Sequence, residues 1–215
     1  MTTGAWVFLV LAGCFAVGNW ISRIHPPPPG SISRLEYVCK PATMVALISV
    51  ALLVDPTHPD ERWWFVAALV LSLAGDIFLM LPDDRFVAGL ASFLLAHVAY
   101  VVGLNLHTDG NWWWAVPVVV VVGLLGVRLV RGIRRSGESE LIAPVVVYVV
   151  VIAAMGISAL ASGNRWAAVG AVSFMGSDAL IGETKFVRPA AWAPVAIMVT
   201  YHLGQAGLVL SLAWS

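Results

Sequence analysis

Apolar runs of roughly 20 residues, the length that crosses a bilayer as a helix, recur eight times along this chain. They lie near residues 4–22, 38–54, 62–81, 86–106, 112–130, 141–161, 165–182 and 192–213, the second and seventh being short for a span. Water is absent from the hydrocarbon core, so backbone polar groups there must be satisfied within the segment. The expected fold is therefore all-α: a polytopic membrane bundle of eight transmembrane helices. Composition agrees, with 60% hydrophobic and 11% charged residues where a soluble domain has about one quarter charged. Connections are brief, so residues 1–215 read as a single integral membrane domain. The longest breaks are the stiff His25–Gly30 segment with its run of prolines and the basic Arg128–Glu140 stretch. The first run lacks a basic n-region and an A-x-A-like site, and is expected to be a retained helix.

Loop charges orient the bundle. Ten of the twelve basic residues fall in the first, third, fifth and seventh connections, among them Arg23, Arg34, Arg85, Arg128 and Lys185. The positive-inside rule then places those loops in the cytoplasm and both termini on the non-cytoplasmic side. Trp63, Trp64, Trp112, Trp113, Trp114 and Trp166 fall at the opposite helix ends, where interfacial anchors belong. Acidic and basic residues balance at twelve each, and no basic tract points to nucleic acid. Cys14 and Cys39 show neither a metal spacing nor a disulfide framework. Asp55, Asp60, Glu61, Asp83 and Asp84 read as solvated loop residues.

Two carboxylates interrupt this pattern. Leu71–Met80 carries Asp76 and Ala171–Leu180 carries Asp178, each inside a membrane-length run. An ionisable group there is costly and marks a functional site by default. Gly75, Gly176 and Ser177 let neighbouring helices approach, so both side chains should face protein. Burial disfavours the charged carboxylate, and a protonated one can act as a general acid. A helix-to-helix hydrogen bond is the alternative use. The orientation above puts both aspartates in the cytoplasmic half, and His97, Tyr148, Tyr201, His202 and Gln205 between the inner surface and mid-membrane or slightly beyond. Phe86, Gly89, Leu90, Phe93, His97 and Tyr100 recur at helical spacing on one face, and Tyr201 and Gln205 share another. Glu36 and Lys40, followed by Pro41, read as a local ion pair at a helix start. Gly75-Asp76…Phe86…His97 is echoed by Ser177-Asp178…Phe186…His202, four spans later, which suggests a parallel 4+4 repeat.

Common metalloprotease, nucleotide, serine-esterase and haem motifs are missing. Two Asp and two His can in principle hold zinc, but they show no spacing signature, and no cofactor or metal is expected. From the helices alone an enzyme and a proton-coupled transporter or lipid flippase are equally open. A metal-dependent lipid hydrolase and a non-catalytic lipid-binding scaffold are further alternatives.

The run Gly75-Asp76…Leu81-Pro82…Phe86…Gly89-Leu90…Ser92-Phe93…His97…Tyr100 resembles the signature of the lysoplasmalogenase family of multi-pass membrane proteins, the YhhN-like proteins. Lys40-Pro41 before the second helix, Gly170-Ala171…Phe174…Ser177-Asp178 and Tyr201…Gln205 are similar to its other marked positions. The resemblance runs from about Lys40 to the C-terminus. It implies hydrolysis of the sn-1 vinyl ether of a lysoplasmalogen, yielding a fatty aldehyde and glycerophosphoethanolamine or glycerophosphocholine. With that chemistry, Asp76 and Asp178 are expected to be the acid–base pair, dividing roles as glycosidase carboxylates do. His97, Tyr148, Tyr201, Gln205 and Lys40 would position water and substrate, a lysophospholipid entering from the bilayer with its head group near Lys40. A bacterial inner membrane is the expected location.

Overall fold

The computed structural model describes residues 1–25, 33–81, 85–108 and 110–214. The whole proline run, residues 26–29, and the loop aspartates Asp83 and Asp84 lie outside the described residues. Eight α-helices follow in order: α1 (Thr3–Ile24), α2 (Arg34–Leu53), α3 (Pro59–Met80), α4 (Phe86–Asn105), α5 (Ala115–Ser136), α6 (Ile142–Ala161), α7 (Arg165–Phe186) and α8 (Ala193–Ser211). Single 3-10 turns, Trp112–Trp114 and Ser139–Leu141, lead into α5 and α6. No strand occurs among the described residues.

Seven of the eight helices are long and apolar enough to span a membrane, α7 being the exception. At 22 residues it is long enough. Its shortfall is in apolarity, because Gly170, Ser173, Gly176, Ser177 and Gly182 replace large aliphatic residues. Those small residues let α7 pack closely against α8. A Cβ at Gly170 would lie 2.6 Å from the Leu208 nitrogen, and one at Gly204 would lie 2.8 Å from the Phe174 nitrogen. The two backbones therefore touch, as small-residue interfaces allow in membranes. Asn164 fixes the start of this pair. Its Oδ1 accepts from the Trp166 and Ala167 amides, capping α7, while its Nδ2 donates to the Ser211 carbonyl at 3.0 Å.

α2 begins at Arg34, so Pro41 lies inside it rather than before it. The expected local pair also dissolves. Glu36 instead binds Arg23 of α1, and Lys40 binds Asp76 of α3. Glu36 and Lys40 share the buried face of α2, where neighbouring helices supply better-placed partners than one another.

The closest helix pairs are α7–α8, α3–α4 and α1–α2. One core runs through them, from Met44 and Leu47 across Phe65, Leu69, Ala96 and Tyr100 to Phe174 and Leu208. Large apolar side chains cover the outside, including Val10, Trp113, Leu124, Val150 and Val169, as expected of a lipid-facing surface. α5 is the outlying helix. It packs on α6 and α7 alone among the other long helices, and a cavity remains beneath it.

Candidate functional site

Asp76 is 1% exposed and sits where α2, α3 and α8 meet. Gly75 before it brings α4 close, because a Cβ there would collide with the Phe93 ring at 2.7 Å. Lys40 Nζ lies 3.1 Å from Asp76 Oδ1. Tyr201 Oη donates to Asp76 Oδ2 at 2.7 Å. A buried carboxylate in membrane needs compensation of this kind, and here a cation and a hydroxyl from two other helices supply it. Gln205, one turn beyond Tyr201, accepts from Tyr100 Oη at 2.6 Å. Trp20 Nε1 of α1 donates to His202 Nδ1 at 3.0 Å. His202 thus serves the α1–α8 contact, away from Asp178.

Asp178 has different company. Tyr148 Oη of α6 donates to Asp178 Oδ2 at 2.5 Å. His97 Nε2 of α4 lies 3.6 Å from the same oxygen. That distance exceeds a hydrogen bond, so the two groups face one another without a formed bond. The other ring nitrogen, His97 Nδ1, is 2.6 Å from the Phe93 carbonyl. A carbonyl only accepts, so Nδ1 carries a proton, and in the neutral ring Nε2 is the lone-pair nitrogen.

The two aspartates do not touch. A series of aromatic contacts links them instead. Tyr201 packs edge-on to Phe174 with ring centroids 5.4 Å apart, Phe174 to His97 at 4.7 Å, and His97 to Tyr148 at 5.3 Å. Phe93 joins the group against both Tyr201 and Phe174. The structure therefore brings the expected site residues into two adjoining clusters. Lys40, Tyr201 and Gln205 belong to the Asp76 cluster, while His97 and Tyr148 belong to Asp178.

Only Asp178 opens onto the cavity under α5. This space of about 520 Å³ is bounded by α3 to α7 and is lined almost wholly by apolar side chains. Val118, Val122, Leu125 and Leu129 form its α5 wall, and Asp178 and Tyr148 supply its polar spot. Gly176 widens it, since a Cβ there would meet nothing within 4 Å. That differs from the close approach expected at Gly176. Trp114 also departs from a simple anchor, for it lines the cavity while Trp113 is 82% exposed. Lys40 and Asp76 are not among the lining residues. The cavity wall was not apparent in the sequence, because α5 is apolar on every side from Ala115 to Val127, and its arginines mark a polar face only in the C-terminal turns. Among the described residues no three His, Cys, Asp or Glu side chains gather as a metal cluster would require.

The fold and these clusters define a multi-pass integral membrane protein with one carboxylate buried among its helices and a second opening onto an apolar, lipid-sized cavity. The chain belongs to the YhhN family, whose model matches residues 35–212. It is 32% identical to a lysoplasmalogenase of Mycobacterium tuberculosis, an alignment covering 100% of this chain and 80% of the relative. It is likewise 32% identical to the lysoplasmalogenase TMEM86A of Bos taurus, over 72% of this chain and 67% of that protein. A match of 28% identity to the membrane protein YhhN of Escherichia coli covers 40% of this chain and 41% of the relative. No solved structure matches the chain.

Proposed function

We propose that this protein is a lysoplasmalogenase, an enzyme that hydrolyses the sn-1 vinyl ether of a lysoplasmalogen within the bilayer. The observation that carries the reading is Asp178, a carboxyl held by Tyr148 at the polar spot of an otherwise apolar cavity. A single hydrocarbon chain suits such a cavity, and the sn-1 chain of a lysolipid ends at the bond to be broken. The names of the mycobacterial and bovine relatives support the same activity.

In this mechanism Asp178 is the acid. Its proton passes to the β-carbon of the vinyl ether, whose π electrons form the new C–H bond. The α-carbon and ether oxygen are left as an oxocarbenium ion. Water adds to the α-carbon and gives up a proton to His97 Nε2 or to the Asp178 carboxylate. The hemiacetal then collapses, releasing a fatty aldehyde and the glycerol hydroxyl of the glycerophospho product. Atoms and charge balance with one water consumed. Asp76 is the ionised member of the pair. Lys40 and Tyr201 hold it, and its negative charge favours the cation through the intervening aromatic groups. Gln205 positions Tyr201, and Tyr148 positions Asp178. The substrate head group and the α5 groove set the depth of the reacting bond.

The same reading includes eight spans in one domain, with both termini on the non-cytoplasmic side of a bacterial inner membrane. Two arguments support it: the positive loops, and the clustering of Trp6, Trp166 and Trp214 with ring centroids 6.0 and 5.7 Å apart. The matching pairs α3–α4 and α7–α8, each with an aspartate and a close glycine contact, support a parallel repeat.

The experiment is aldehyde release from lysoplasmenyl-ethanolamine by the purified protein in nanodiscs. Wild type is expected to turn over, and Asp178→Asn to lose at least a hundredfold, the usual contribution of a general acid. A folded Asp178→Asn variant with near-wild-type rate overturns the mechanism, and an inactive wild type overturns the function.

A further inference from the structure

The cavity has one end beside a cation that the chemistry above does not use. Phe86 of α4 and Phe186 of α7 line it there, edge-on with ring centroids 6.1 Å apart. Over them sits Lys185, its Nζ 4.2 Å from the Phe86 centroid and 5.8 Å from that of Phe186. Such cation–π contacts hold an ammonium in place, and they leave its hydrogen-bond donors free for an acceptor. Arg128, a neighbouring cation, is already committed. Its Nε and Nη2 bind Glu183 at 2.7 and 2.5 Å. Lys185 has no carboxylate partner among the described residues.

Register makes this position significant. Residues seven apart on a helix lie on one face, two turns along, and roughly 10.5 Å apart in rise. Asp178 and Lys185 are seven apart on α7, Asp178 and Gly182 lining the cavity and Lys185 lying beyond them at its exposed edge. A lysophospholipid has the same layout. Its sn-1 bond and its phosphate are separated by one glycerol backbone, the chain extending one way and the head group the other. With the vinyl ether at Asp178 and the chain in the groove toward Trp114, the phosphate reaches the Lys185 end. Gly182 lets Leu129 of α5 close over α7 there, since a Cβ would meet the Leu129 side chain at 3.0 Å.

We propose that Lys185, supported by Phe86 and Phe186, binds the lipid phosphate and sets which bond of the lysolipid reaches Asp178. The head group thus goes to Lys185 at the end of α7, and not to Lys40, which is buried against Asp76. The proposal rests on the lysoplasmalogen reading for its substrate, but binding tests it independently of turnover.

Two saturated ligands that cannot be cleaved separate the possibilities: a 1-O-alkyl lysophosphatidylethanolamine and the matching 1-O-alkylglycerol, which lacks phosphate. Each is titrated calorimetrically into the full-length protein in nanodiscs, as wild type, Lys185→Met and Lys185→Arg. Wild type is expected to bind the phospholipid more tightly. Lys185→Met should weaken that binding about tenfold, the loss of one charge-assisted hydrogen bond, without changing alkylglycerol binding. Lys185→Arg, which keeps the charge, should restore most of the difference. Equal weakening of both ligands, no weakening of either, or a wild type indifferent to the phosphate overturns the proposal. If binding behaves as expected while the wild type releases no aldehyde from lysoplasmenyl-ethanolamine, the phosphate site stands and the hydrolase reading fails.

Discussion

Lys40 and Asp76 meet at 3.1 Å between α2 and α3, with side chains only 4% and 2% exposed. Each is the other's reason for being tolerated at that depth. Removing one member of a buried pair strands a charge, at a cost of about 3–5 kcal/mol. Lys40→Met is therefore expected to lower stability markedly, as is Asp76→Leu. The double variant should recover most of that loss while remaining inactive. Unfolding by a denaturing detergent, followed by circular dichroism, reads the stability of all three. Additive losses in the double variant would show that the pair is not coupled.

Tyr148 Oη donates to the proposed acid at 2.5 Å, on Asp178 Oδ2. Tyr148→Phe keeps the ring that lines the cavity and removes only the hydroxyl. Its expected effect is on kcat, about ten- to a hundredfold lower on the scale of one positioned hydrogen bond, with KM nearly unchanged. Steady-state kinetics on lysoplasmenyl-ethanolamine separates the two constants. A change confined to KM would make Tyr148 a substrate contact and leave Asp178 without its positioning group.

Gly170 and Gly176 lie on one helix but in opposite surroundings. A Cβ at Gly170 runs into the α8 backbone, whereas one at Gly176 enters open cavity. Gly170→Leu is expected to prevent the α7–α8 pair from closing and to abolish folded protein. Gly176→Leu should fold and fill part of the chain groove. Its KM for long-chain substrate should rise about tenfold, as a few buried methylenes lose their place, and a short-chain analogue should be affected less. Size-exclusion profiles and a chain-length series test the contrast.

Much of this arrangement could be read from residues alone, for physical reasons that also explain what could not. Membrane spans are set by a single requirement, satisfied backbone in hydrocarbon, so seven of the eight helices follow from apolar run length, while α7 with its small residues falls short of it. Asp76 and Asp178 stand out because a carboxylate is conspicuous against Leu and Val. Partner choice is different. Lys40 lies one turn from Glu36, and sequence proximity suggested a local pair, yet Glu36 reaches Arg23 and Lys40 reaches Asp76. Helix rotation decides those pairings, and it is set by packing across α1, α2 and α3. The cavity was hidden for a related reason. Helix–helix contact and lipid contact use the same aliphatic residues, so Val118 and Val122 look no different from Val119 and Val120. Only the Gly176 and Asp178 face of α7 carries a signal, and there Asp178 points to chemistry while Gly176 reads as a close-packing position.

Proton transfer to carbon leaves a record in the product. If Asp178 delivers its proton to the β-carbon, that carbon becomes the one next to the aldehyde group and gains a hydrogen from solvent. Tyr148 and His97 are the only polar side chains seen against Asp178 among the described residues, and all three groups exchange with water. In D2O each aldehyde is therefore expected to carry one deuterium at that position. Immediate borohydride reduction traps the product before enolisation scrambles it, and mass spectrometry counts the label. The rate should also fall several-fold in D2O, because C–H bond formation is then the slow step. Aldehyde formed in D2O without the label would mean that the ether bond breaks by attack at carbon with no prior protonation. That result would remove Asp178 from the role of acid even if its substitution abolished activity.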